Sequence, residues 1–162
     1  MVETLLRFVA WLGVLLYGGP LLASALLMPL AGRLRGLAPW HVDRLWRAWA
    51  PGSGVGLGLA FFAGLLLHRL RVGGFAWAWD APSERLVLVS HLVFLVLWVS
   101  YTVLEVWRAE PLRRLDGTAG IEDEGAYLAA RKPVVRHVVL NALLLLTFLA
   151  LQAASARWGS PG

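Results

Sequence analysis

His68 closes a run in which Gly56, Ala60 and Gly64 precede it at intervals of four, in the stretch "GLGLAFFAGLLLH". On a helix that spacing stacks a nearly bare strip of backbone with an imidazole at its end. A haem lies alongside the helix that carries its ligand, so Gly64 and Ala60 would clear a flat approach to His68. Imidazole is a good axial ligand for haem iron, and two of them make a low-spin electron-transfer centre. His91 is the first choice of ligand and His68 the second, with Trp98 lining the pocket. The two differ in depth: His68 sits beside Arg69, whereas His91 lies six residues beyond Arg85, about 9 Å along a helix axis. The same small residues also suit close helix packing, as does "GVGLG" at 54–58.

The remaining chemistry-bearing residues are few. His41 and His137 are weaker metal candidates and read more readily as polar end groups. Copper(I) sites in membranes favour Met and Cys, and this chain has no Cys and only Met1 and Met28. A histidine copper(II) site on His68 and His91 is the second metal option, and a chain with no cofactor is the third. No phosphate-binding glycine loop, HExxH or Ser-His-Asp spacing is present. Asn141 and Gln152 read as interhelical hydrogen-bonding groups. His91, Trp98, Thr102 and Glu105 share one helical face, and His137, Asn141, Leu144, Phe148 and Gln152 another. Gly13, Tyr17 and Ser24 form a milder polar and small-residue stripe. All three stripes are expected to face inward, because polar groups in hydrocarbon need partners.

Composition says what kind of body must hold these residues. Of 162 residues, 59% are hydrophobic and only 15% charged, with a mean hydropathy of +0.66. That is too apolar for a water-soluble domain and fits an integral membrane protein. The net charge of +5 is scattered over loops without one basic face, so it reads as topology and lipid contact, and nucleic-acid binding is excluded. The absence of Cys removes disulfides and thiol redox chemistry.

The chain is expected to be one all-α domain, residues 1–162, folded as an up-down bundle of four transmembrane helices at about 5–31, 52–70, 86–106 and 135–155. Gly18, Gly19 and Pro20 predict a kink in the first. "ASA" at 23–25 resembles a cleavage site, but the apolar run continues through "LLMPL", so the helix is read as retained. The loops at about 32–51 and 107–134, with Arg136 at the edge of the second, carry ten of the Lys and Arg residues, against Arg7, Arg69, Arg71, Arg85 and Arg157 on the other side. The positive-inside rule then puts both loops in the cytoplasm and both termini outside, in a bacterial inner membrane. "PWHVDRLWRAW" suggests a separate interfacial helix, "IEDEGAYLAARK" a solvated charged connector, and "GGFAWAWDAPSE" a turn with the belt tryptophans Trp77 and Trp79.

The pattern resembles the small four-helix membrane proteins grouped around the CopD-type copper-resistance domain and the HemJ-type protoporphyrinogen oxidases. The resemblance is carried by Gly18, Gly19 and Pro29 in "FVAWLGVLLYGGPLLASALLMPL", by "LVSHLVFLVLWVSY", and by Arg136 and Asn141 in "RHVVLNALLLL". It implies a membrane protein that handles copper, haem or porphyrin, with electrons passing to quinone or a partner oxidase. The chain departs from the HemJ pattern at Ala10, where that family has a functional His. It departs again at His91, where the family has Lys, and at Asn141-Ala142, where it has Asn-Glu. A cofactor-free accessory subunit of a membrane complex is the alternative outside the metal classes.

Overall fold

The computed structural model describes residues 1–33, 38–72, 82–116 and 123–158. Trp77 and Trp79, Arg35 and Glu122 lie outside the described residues. Every regular element among those described is helical: α1 (Val2–Leu30), α2 (Pro39–Val72), α3 (Pro82–Val103), a π-helical turn (Leu104–Arg108), α4 (Glu110–Leu115) and α5 (Glu124–Trp158). Four helical stretches, Val2–Leu30, Pro39–Leu70, Glu84–Leu115 and Glu124–Ala156, are long and apolar enough to cross a membrane.

The helices alternate in direction. Gly13 of α1 meets Gly56 and Ala60 of α2 while Gly32 lies beside Pro39, so these two run antiparallel. Ser90 meets Gln152 and Ser100 meets Asn141, which sets α5 antiparallel to α3. Met28 meets Arg131 and Gly18 meets Leu145, which sets α5 antiparallel to α1 as well. Gly32, at φ +89°, supplies the left-handed residue that turns the chain after α1. Large apolar side chains such as Phe8, Trp11, Leu15, Phe62, Leu92, Val96 and Leu143 cover the outside. A soluble bundle would cover that face with polar groups.

Three expectations need correction. The segment 39–51 is no separate surface helix: it forms the first turns of α2, which continues through Pro51. Its Val42, Trp46 and Ala50 are buried and prolong the core-facing stripe of Ser53, Leu57 and Ala60. Pro39 opens the helix where a missing N–H costs nothing. The charged segment before the fourth span is likewise the start of α5, capped by the Asp123 carboxylate accepting from the Ala126 N–H at 2.9 Å. It reaches the core through Tyr127, Arg131 and Val134. The loops at 32–51 and 107–134 are correspondingly shorter. Finally, Thr102 is exposed and bonds back to the Trp98 carbonyl, so it does not face inward. Gly18, Gly19 and Pro20 lie inside one unbroken helix, and Gly13, Tyr17 and Ser24 are buried as expected.

Candidate functional site: an imidazole pair between the second and third long helices

The strip that precedes His68 divides in two. A Cβ at Gly56 would lie 2.7 Å from the Gly13 carbonyl oxygen, and one at Gly13 would lie 2.5 Å from the Ala60 nitrogen. Gly56 and Ala60 are therefore a seat for the α1 backbone, in the small-residue manner of close-packed helices. They leave no flat approach for a ligand. Gly64, a turn further on, faces α3: a Cβ there would lie 3.7 Å from His91 Nε2.

α2 and α3 touch little through their backbones, and side chains fill the seam between them. At one level of the seam stand the two histidines, with ring centres 6.3 Å apart and planes inclined at 59°. His68 is only 6% exposed and His91 is half-buried. The depth difference expected from sequence is closed because α2 continues past His68 to Val72. His91 Nδ1–H donates to the Val87 carbonyl at 2.8 Å. A neutral His91 then carries its lone pair on Nε2, the atom nearest Gly64. With metal–nitrogen bonds of about 2 Å, imidazoles on opposite sides of one ion have ring centres about 6 Å apart, close to the spacing here.

Below the histidines the seam is aromatic. Trp98 lies 5.3 Å from Phe61 and 6.2 Å from Phe62, Phe61 stacks on Phe94 at 6.2 Å, and Phe148 of α5 meets Phe94 at 4.9 Å. Trp98 thus belongs to a packed cluster on one side of the imidazole pair. His41 is exposed near Trp40, and His137 is half-buried and bonded to Ser100, so neither joins the pair. No group of three or more His, Asp or Glu placed to hold a metal ion occurs among the described residues. A groove of about 410 Å³ between α1 and α2, lined by Leu12, Leu15, Leu16, Pro20, Ala48, Trp49 and Gly52, contains none of the histidines.

Between α3 and α5 polar side chains bond to one another, and Asn141 Nδ2 alone of this group stays buried without a partner among the described residues. Gln152 Nε2 donates to Ser90 Oγ at 2.7 Å, and Ser100 Oγ accepts from His137 Nε2 at 2.8 Å while donating to Asn141 Oδ1. The interhelical role expected of Asn141 and Gln152 is present.

The charged end of the bundle holds the residue that sequence reasoning missed. Asp43 is 0% exposed. Its Oδ2 accepts from Tyr127 Oη at 2.9 Å and Arg131 Nε at 2.7 Å, while Arg131 also donates to the Met28 carbonyl at 2.8 Å. This ties α1, α2 and α5 together. Following the stripe of Ala60, Leu57, Ser53, Ala50 and Trp46 back through Pro51 would have put Asp43 in the core. Nearby, Asp116 accepts from Arg44 at 2.6 Å and from Arg47. The Arg44 hydrogen bond, joined by that of Arg47, holds its carboxyl below the usual aspartate range.

The chain matches no protein-family model, and no curated protein or solved structure is significantly similar to it.

Proposed function

We propose that this chain is a multi-pass protein of a bacterial inner membrane, with both termini outside, that holds haem b through His68 and His91 and serves electron transfer or porphyrin oxidation. The carrying observation is the imidazole pair, 6.3 Å between ring centres, in the seam of two helices otherwise joined by side chains alone. Four long apolar helices, and the excess of Lys and Arg in alternate connections along the sequence, support the membrane reading.

Haem leads over a bare ion on chemical grounds. His68 and His91 would hold the haem iron with no further protein donor, since the porphyrin supplies its other nitrogens. A copper(II) ion would need further N or O donors, and no third His or acid joins the pair among the described residues. The bond from His91 Nδ1 to the Val87 carbonyl fixes the tautomer, as backbone carbonyls do for metal-bound histidines. Gly64 itself puts no side chain beside His91 Nε2. Gly56 and Ala60 have no part, since α1 occupies them. The haem would supply one-electron chemistry, and the aromatic cluster of Phe61, Phe94 and Trp98 would exclude water from one side. Quinone or a partner membrane subunit would exchange the electrons.

His91→Ala and His68→Ala, each purified in mild detergent, test this. Both are expected to lose the b-type Soret and α bands and the bound iron. Unchanged spectra in both variants would remove these ligands. Copper retained in place of iron, lost in the same two variants, would favour the copper reading that the ring spacing also fits. A colourless, metal-free wild type co-purifying with a larger complex would favour the accessory subunit, which the packing of α1 on Gly56 and Ala60 supports.

A further inference from the structure

The cations at the charged end fall into two sets. Arg44, Arg47, Arg113, Arg114 and Arg131 are each committed to an acid. Arg33, just past α1, and Arg108, Lys132 and Arg136 are exposed and make no ion pair among the described residues. The acids flanking Arg108 in sequence are already engaged: Glu105 with Arg113 at 2.8 Å and Glu110 with Arg114 at 2.9 Å.

The π turn explains how Arg108 reaches the surface. Ser90, Phe94, Leu97, Tyr101 and Leu104 are buried at intervals of three and four. Continued as an α-helix, that rhythm would bring Arg108 into the core. Instead the Ala109 N–H bonds the Leu104 carbonyl, five residues back, at 2.9 Å. The inserted residue shifts the phase, so Ala109 and then Leu112 are fully buried while Arg108 turns outward with Trp107, which is 70% exposed. The Ser100–His137 hydrogen bond holds α3 against α5 just before the π turn, so Arg108 emerges at the end of the bundle where α5 carries Lys132 and Arg136. Arg136 neighbours His137 in sequence, and Lys132 lies one turn earlier on the Arg136 face. Immediately beyond, Leu140 and Leu143 continue an exposed apolar surface.

We propose that Arg108 and Arg136, with Trp107 and Lys132 at the rim, bind the headgroup of an anionic phospholipid of the cytoplasmic leaflet. The ligand this surface complements has a phosphate at one end and apolar chains at the other. Guanidinium groups pair with phosphate through two N–H bonds. Tryptophan settles at the headgroup level, and Leu140 and Leu143 would lie along the acyl chains. The assignment rests on the membrane reading above.

The test is native mass spectrometry of the detergent-extracted chain after reconstitution in bilayers mixing phosphatidylglycerol with phosphatidylethanolamine. The wild type is expected to retain phosphatidylglycerol selectively. Arg108→Gln/Arg136→Gln should lower the apparent affinity about thirtyfold, from about fivefold per cation at an anionic surface. Arg33→Gln, which removes the exposed, unpaired cation just past α1, should leave retention unchanged. Equal retention of both lipids by the wild type, equal retention by the double variant, or equal loss in Arg33→Gln would each overturn the proposal. A chain recovered without detergent in the soluble fraction would overturn the membrane reading too, whereas a detergent-extracted chain lacking selective lipid overturns this assignment alone.

Discussion

A methyl group added at Gly13 would sit 2.5 Å from both the Ala60 nitrogen and the Gly56 carbonyl oxygen, with backbone on each side and nothing flexible to yield. Gly13→Ala is therefore expected to push α1 off α2 and cost about 1–3 kcal/mol, read as a lower melting temperature in detergent. Gly64→Ala makes only ordinary contact, 3.7 Å from His91 Nε2. It should melt near the wild type while still shifting any spectrum that depends on the space beside His91. Equal destabilisation by the two would mean that the strip does not divide as described. Asp43 and Arg131 are linked differently. Removing either partner of a buried pair leaves a stranded charge and costs about 3–5 kcal/mol. Asp43→Ala and Arg131→Met should each unfold far more readily than the double variant, in which no stranded charge remains. A double variant as weak as the sum of the singles would contradict the pairing.

At the scale of elements, the clamp of Arg44 and Arg47 on Asp116 joins α2 to the end of α4. The folded carboxyl titrates below the ordinary aspartate value of about 3.9. Its contribution is thus present above that value and disappears as the pH falls through the lower folded one. Wild-type melting temperature should drop in this acid window by more than that of Asp116→Asn, and parallel curves would contradict the clamp. The spans themselves were legible in the sequence, because long apolar runs need no partner to be recognised. Their ends were not. Pro39, Pro51 and Pro133 and the charges around them look like loop, yet α2 and α5 run through them because Trp46, Tyr127 and Val134 find core to bury against. Asp43 and Arg131 lie 88 residues apart, so no local window could show that each neutralises the other. The π turn was equally hidden, since only the burial of Ala109 in place of Arg108 reveals the change of phase.

Across the whole molecule, three kinds of seam hold the bundle. α1 and α2 approach through glycine and alanine, α3 and α5 through Ser90, Gln152, Ser100 and Asn141, and α2 and α3 through aromatic rings and the two histidines. The first two seams are closed by backbone proximity or by hydrogen bonds. The third depends on side chains alone, and it is the seam that holds both His68 and His91. His68 and His91 were legible as candidates from their type and from the small residue at 64. The fate of Gly56 and Ala60 was not, because the same spacing serves a helix or a porphyrin, and only the position of Gly13 decides between them. The most direct measurement is the optical spectrum of the purified wild type in mild detergent, air-oxidised and then dithionite-reduced, with iron determined on the same sample. A sharpened, shifted Soret band with about one iron per chain is the result expected of a bis-imidazole haem protein. A colourless chain without iron would contradict that assignment and leave His68 and His91 as a packed pair.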